Sequence, residues 1–539
     1  MRDTNGSIKG VLLGLAVLTA CALLTQTPAQ AAPTFHSAIY FGGPGDESGT
    51  GIAIAGEKIY VSGTGWSYGL DGLLARYSLP PTTSPEWYVF WANQPGGGLS
   101  HDQFYSLGVS GEGVYAAANS DTVGSDWVGG HEGKATVVKF PLDGPPGGGL
   151  GGCTWYATQV FFGGYCGWEG YKAVLPVQEG ASEVVYASGF GQTSWWNNVA
   201  LLAKYDSAGT LLWWRVLGDP AWNRNSRAAD LAWLDGYLYV AGGRSQTGQT
   251  PEPDPNQSYA DLWKYDSAGD RIWVRSFNPG TGAGGRALAA GGDCLYVAGY
   301  TRIGPSGNQD VLLLKYDQDG DLLWSQDWGG AGSEWAEGVA VAGDRVYVVG
   351  CTSSFGADGW DTFLLEADPA DGTILSATCW GGAADDMAYD VAATASDVYV
   401  VGHTASFGAG GNDLMLLRYT LVIPVEVDIK PGSYPNAINL GSQGVIPVAI
   451  LSSDTFDATQ VNPTTVSLAG AGVAVRGKGK YLAHKEDVNG DGRLDLVAQV
   501  ETENLAPAAF QDGSACVTGE TYGGQQFEGW DEITIVPPE

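Results

Sequence analysis

A tyrosine set in a short apolar triplet returns seven times in this 539-residue chain, and that repeat constrains the fold more than any other feature. The copies are Ile59-Tyr60-Val61, Val114-Tyr115-Ala116, Val185-Tyr186-Ala187, Leu238-Tyr239-Val240, Leu295-Tyr296-Val297, Val346-Tyr347-Val348 and Val398-Tyr399-Val400. Successive tyrosines lie 55, 71, 53, 57, 51 and 52 residues apart. β-Branched and aromatic residues in such triplets favour strands, and a period near 50 marks a repeat architecture. A second strand ends in a basic–aromatic pair at Arg76-Tyr77, Lys204-Tyr205, Lys264-Tyr265, Lys315-Tyr316 and Arg418-Tyr419. In several copies that pair runs into a tight turn such as Asp206-Ser-Ala-Gly209 or Asp317-Gln-Asp-Gly320, where Gly takes the left-handed position. A further strand carries aromatics four apart, Trp273 with Phe277 and Trp324 with Trp328, which share one face. A lone four-stranded sheet of this kind exposes two apolar faces, and a closed ring buries both. The expected fold is all-β, a seven-bladed β-propeller over residues 32–420. Residues 37–43 copy the aromatic strand while the last repeat stops after Arg418-Tyr419, so the N-terminal strand is expected to complete the last blade.

The succession Trp-Gly-Gly, an acidic residue, an alternating strand, Val-Tyr-Val-x-Gly and Asp-x-Phe-Leu-Leu resembles the bacterial SBBP-type β-propeller repeat. The likeness is clearest at 279–420, recognisable at 37–80 and 161–278, and poor in the second unit, which carries a Gly/Pro-rich insertion from Asp143 to Gly152. The resemblance implies a fold and an exported setting, and it implies no reaction.

Composition bears on partners and compartment. A formal net charge of −33 offers no basic footprint for nucleic acid. Arg2 and Lys9 precede or flank the apolar stretch Val11–Leu24, and Ala29-Gln-Ala31 is a small-x-small cleavage site, so residues 1–31 read as an export signal. Leu18-Thr-Ala-Cys21 gives a rival reading, a lipoprotein anchored through Cys21. No later segment is long and apolar enough to span a membrane, and the expected location is secreted or cell-surface. Export permits disulfides, with Cys153–Cys166 and Cys351–Cys379 the nearest candidates.

Residues 421–424 read as a linker, and 425–539 change texture into a small, sandwich-like β domain. Its Asp-Ile-Lys-Pro-Gly opening (428–432) resembles a domain appended to many secreted bacterial proteins. Here lies the sharpest motif: Asp487, Asn489, Asp491, the Arg493 carbonyl and Asp495 stand at loop positions 1, 3, 5, 7 and 9, with Gly492 at the sharp turn. Oxygen donors at that spacing wrap calcium. Position 12 is Ala498 rather than a bidentate acid, and a strand pattern follows, so the loop resembles the structural calcium loops of β proteins.

No nucleophile elbow, zinc-helix motif, phosphate loop or Cys-x-x-Cys occurs, and His36, His101, His131, His403 and His484 are scattered and read as surface or loop residues. Asp71, Asp310, Asp361 and Asp413 recur six residues before the end of one repeat strand. They read as turn caps, or else as a ring of carboxylates at one mouth of the channel holding a cation or polar ligand. Trp127, Trp168, Trp195 and Trp196 are candidate ligand contacts. The expectation is a non-enzymatic exported binding or scaffold protein for a glycan, protein or cell-envelope polymer, with structural calcium and no catalytic residues. The alternative is a polysaccharide lyase or hydrolase, or a quinoprotein-type propeller enzyme, the last suggested by Asp-x-x-x-Gly…Trp-like turns.

Overall fold

The computed structural model describes residues 32–536 apart from 43–44, 67–69, 92–101, 122–132, 145–152, 162–168, 195–196, 218–224, 246–257, 303–306, 455 and 507–512. Seven four-stranded antiparallel sheets follow one another along the chain. In each, the first strand lies innermost: Ser48–Ala55, Gln103–Ser110, Glu169–Glu179, Ser226–Leu234, Ala283–Gly291, Glu334–Ala342 and Asp386–Ala393 for blades 1 to 7. Each innermost strand packs against those of the two neighbouring blades, and that of blade 7 packs against that of blade 1, so the ring is closed. The strand Thr34–Phe41 pairs antiparallel with Asp413–Thr420 and supplies the outer strand of blade 7, as the sequence led one to expect. Ring closure by the N-terminal strand ties the two ends of the propeller together with a full ladder of backbone hydrogen bonds.

The repeat residues are explained by contacts between blades. The triplet tyrosines are buried, and in blades 1 to 5 each meets a tryptophan of the outer strand of its own blade, as in Tyr239–Trp273 (ring centroids 5.8 Å apart) and Tyr296–Trp324 (6.0 Å). The lysine of the basic–aromatic pair sits over that tyrosine and donates to the turn of the next blade: Lys204 Nζ to Ser267 O (2.9 Å), Lys264 Nζ to Gln318 O (2.9 Å), Lys315 Nζ to Pro369 O (2.6 Å). Trp155 packs on Gly209 of the following turn, and Trp324 on Gly372, where any Cβ would collide with the indole. The Asp-x-x-Gly turn thus serves the tryptophan of the preceding blade, not the one that follows it in sequence. Interblade packing accounts for the quinoprotein-like spacing.

Val422–Pro424 pairs in parallel with Gln526–Glu532, and the C-terminal region holds its own core, including Ile429, Val448, Ile450, Val500, Val517 and Phe527. Cys351 and Cys379 are free thiols. They lie in strands of blade 6 separated by Asp361–Ala367, two strand spacings apart, which a disulfide cannot bridge. Cys166 lies outside the described residues. Among the described residues no helix is long and apolar enough to cross a membrane.

Candidate functional site

Every innermost strand carries a β-bulge at the same place. The register slips between Gly49/Gly51, Phe104/Ser106, Tyr171/Ala173, Ala228/Asp230, Gly285/Ala287, Ala336/Gly338 and Ala388/Asp390. A bulge leaves one residue out of the ladder and re-aims its side chain. The extra residues are Thr50, Tyr105, Lys172, Ala229, Arg286, Glu337 and Tyr389, one per blade, and all seven line a single axial cavity of about 820 Å³. That volume suits a ligand the size of a few sugar rings or a cofactor.

Two pairs among the seven interact across neighbouring blades. Lys172 Nζ lies 3.2 Å from the centroid of the Tyr105 ring. Arg286 forms an ion pair with Glu337 and stacks over Tyr300 and Trp335 at 5.5 and 5.6 Å. Ala229 stands between Lys172 and Arg286 in ring order and leaves space there, into which Arg227, two residues earlier on the same strand, brings a further cation. Lys172 and Arg227 have no ion-pair partner among the described residues, whereas Arg244 at the wall is paired with the buried Asp261 at 2.8 Å. Burial, helped by the nearby Arg227 and Arg286 and opposed by Glu337, pushes the Lys172 ammonium down to about 7. Amine and ammonium therefore coexist near neutral pH, the condition for a general base. Burial pushes the Tyr389 phenol up to about 12, so it remains a neutral O–H donor.

Two acids lie just past the bulges. Asp230 accepts from Leu231 N (2.8 Å) and Leu288 N of the next blade (2.7 Å). Asp390 does the same with Val391 N (2.8 Å) and Ile52 N (2.9 Å) across the ring closure. Both face the cavity interior away from bulk water, and desolvation raises them to about 7 and about 6 despite those donors. Their geometry is that of interblade ties.

The residues singled out in the sequence fall elsewhere. Trp127, Trp168, Trp195 and Trp196 lie outside the described residues, as do His101, His131 and residues 1–31 with Cys21. His403 departs from the expectation of a loop or surface residue: it is buried in the second strand of blade 7, its ring tilted against Tyr389 with centroids 5.6 Å apart, and burial pushes its imidazole down. In the C-terminal region Asp487 accepts from Gly490 N (2.8 Å) and Gly492 N (3.0 Å), Asn489 from Asp491 N (3.0 Å) and Asp491 from Arg493 N (2.8 Å). Gly490 and Gly492 take positive φ, +77° and +88°, and the loop curls as a calcium loop would. Asp495 opens the following strand, buried, with its two oxygens accepting from Ser452 N and Val488 N. No group of three or more His, Cys, Asp or Glu suited to a metal occurs among the described residues.

The cavity residues escaped the sequence reading because no two are contiguous. A signal does exist: each bulge residue lies ten positions before its repeat tyrosine, fourteen in the third blade, and that one position runs Thr, Tyr, Lys, Ala, Arg, Glu, Tyr.

Fold and site define a seven-bladed β-propeller with a polar, cation-bearing axial cavity. No family model matches the chain. The Regulatory protein FlaEY of Caulobacter vibrioides is 30% identical over 225 residues, covering 36% of this chain and 23% of that protein. Among solved structures, the polysaccharide lyase Uly1 is 12% identical (TM-score 0.45), over 72% of this chain and 99% of that one. The Pyrococcus horikoshii acylaminoacyl peptidase is 8% identical (TM-score 0.39; 76% and 59%), and Drosophila Semaphorin 2a is also 8% identical (TM-score 0.39; 94% and 99%). The expectation that the chain is no enzyme is corrected. Solved structures described as a polysaccharide lyase and an acylaminoacyl peptidase stand among those it resembles. The search for contiguous motifs could not see a site assembled one residue per blade.

Proposed function

We propose that the axial cavity binds the anionic sugars of a uronate-containing polysaccharide and cleaves it by β-elimination. The observation that carries this is the pair Lys172 and Arg227, facing one cavity without an ion-pair partner among the described residues, in a chain of net charge −33. Elimination needs three things: a cation to neutralise the uronate carboxylate, a base to take the proton α to it, and an acid to protonate the leaving glycosidic oxygen. Arg227 and Arg286 suit the first task. The Lys172 amine suits the second and Tyr389 the third. The C–H proton passes to Lys172, its electron pair forms the new C=C bond, the C–O bond to the neighbouring sugar breaks, and the leaving oxygen takes the Tyr389 proton. Phenol and amine then exchange protons with solvent. The assay is the appearance of unsaturated uronate by ultraviolet absorbance when the full chain meets a panel of polyuronates. Lys172→Met should lower the rate by about 10²-fold or more while the fold persists. Absence of both product and binding across the panel would discard the reading.

Four further assignments belong to this proposal. The repeats are of the SBBP type, supported by the Trp-Gly-Gly and Val-Tyr-Val-x-Gly pattern. The chain is exported, supported by the leader-like residues 1–31, which suits a polymeric substrate. Residues 425–539 form a separate domain, supported by their own core. Asp487, Asn489, Asp491, the Arg493 carbonyl and Asp495 hold a structural calcium, supported by the curled loop.

A further inference from the structure

The blade junctions carry a second pattern of charge, away from the cavity. One residue stands within the first three positions of the third strand of each blade: Asp71, Lys134, Val199, Tyr259, Asp310, Asp361 and Asp413 for blades 1 to 7, matched by register with the second strand. The facing position lies three residues before the bulge of the following blade: Asp102, Glu169, Ser226, Ala283, Glu334, Asp386 and Glu47 in the same order. The backbone brings the two positions together, since Glu334 N donates to Gln309 O (2.7 Å), Asp386 N to Trp360 O (2.6 Å) and Glu47 N to Asn412 O (2.7 Å).

The charges covary within this one chain. Four junctions hold acid against acid, namely Asp71/Asp102, Asp310/Glu334, Asp361/Asp386 and Asp413/Glu47. One holds Lys134 opposite Glu169, and two are neutral on both sides. An acid never faces a neutral residue. All eight carboxylates of the acid pairs are buried, 7% exposed at most. A glycine beside three pairs makes the room: a Cβ on Gly329, Gly381 or Gly42 would overlap the aspartate and come within 2.8–3.0 Å of the facing acid.

One member of the pair accepts several hydrogen bonds. Glu334 accepts from Thr352 Oγ1 (3.0 Å), Ser354 N (3.1 Å) and Gly330 N (2.9 Å), and Asp386 from Gly382 N (2.8 Å) and Ser406 Oγ (2.7 Å). The other member keeps an oxygen with no donor: Asp310 Oδ1 and Asp361 Oδ1 are buried without a hydrogen-bond partner. Two buried carboxylates side by side, one with a bare oxygen, call for a cation or a shared proton between them. Lys134 brings a cation as a side chain at the one junction where the pair is acid and base.

We propose that the two acid-paired junctions with a bare oxygen, Asp310/Glu334 and Asp361/Asp386, each bind a hard divalent cation of the calcium class, which fastens blades 5, 6 and 7 to one another. Oxygen-only ligands and a buried, glycine-cleared space fit such an ion better than a soft metal.

Equilibrium dialysis of calcium against the full chain tests this, using a parent that carries Asp487→Ala and Asp491→Ala so that the C-terminal loop does not contribute. Two equivalents should remain bound. Adding Asp361→Lys, which copies Lys134, should remove one equivalent and leave a melting temperature in chelator no lower than that of its parent. Asp361→Asn should also remove one equivalent, which covers the case of a poorly folding lysine variant. A parent that binds no calcium overturns the proposal, as does an unchanged stoichiometry in both variants. In a calcium-free parent, a gain of stability on acidification that shrinks in Asp361→Asn, beyond the share of Asp230 and Asp390, would assign the bare oxygens a shared proton instead.

Discussion

The ring has two unlike arcs. From blade 5 through blade 7 to blade 2 the junctions are lined by paired acids, three of them spaced by a glycine, and the repeat is most regular in blades 5 to 7. Blades 3 to 5 instead contribute Lys172, Arg227 and Arg286 to the axis, and the junctions of blade 4 with its two neighbours hold no charge at the paired positions. The same backbone thus bears acids at its rim on one side and cations at its centre on the other. Packing residues, the buried tyrosines and the tryptophan-on-glycine contacts, are shared by both arcs. Charge is free to differ because it sits at bulge and strand-start positions that the interblade core does not use.

Substitutions can sharpen this contrast, and the largest effect is expected at the cation arc. Lys172→Met should cost about 10²-fold or more in kcat/KM on a uronate polymer with little change in melting temperature. An equal loss of stability would instead make Lys172 a packing residue. Next comes a matched pair of glycines. Gly381→Ala in the acid arc drives a Cβ into Asp361 and should destabilise by about 1–3 kcal/mol in denaturant unfolding. Gly243→Ala, whose new Cβ would meet nothing nearer than 3.5 Å, should stay within about 0.5 kcal/mol. Equal effects at the two glycines would remove the difference in local crowding.

A pH series separates the groups further. The folded values of Asp230 and Asp390, about 7 and about 6, exceed the ordinary carboxylate value of about 4. The folded chain therefore binds more protons than the unfolded one between about pH 4 and 7, and their contribution to stability falls as pH rises through that window. Lys172 is depressed from about 10.4 to about 7, so above pH 7 the unfolded chain binds more protons and stability recovers with pH. Their combined contribution has a minimum near neutrality, measurable as melting temperature against pH. Lys172→Met should flatten the alkaline limb only. Turnover should rise through pH 7 as the Lys172 amine forms, while ground-state binding of the anion weakens. A smaller effect is expected from Asp230→Asn, which replaces an acceptor for Leu288 N or Leu231 N by a donor and should cost about 1–2 kcal/mol. No change there would show the tie between blades 4 and 5 to be dispensable.

Much of the architecture could be read from residues alone. Seven triplets with a central tyrosine, turns closed by glycine and a copied strand at the N-terminus follow from local geometry and from the need to bury both faces of a sheet. The ring and its closure by Thr34–Phe41 were therefore legible. The partners of the turns were not, because Trp155 reaches Gly209 of the following blade rather than a residue near it in sequence. The cavity was legible least of all. Lys172, Arg286 and Tyr389 lie more than fifty residues from one another, and each looks like one odd residue in an apolar strand. The sequence by itself determined how many blades form and how each is built, since strand and turn preferences act over a few residues. The tertiary structure decided what faces the axis, because a bulge turns one side chain per blade inward and only ring closure brings the seven together.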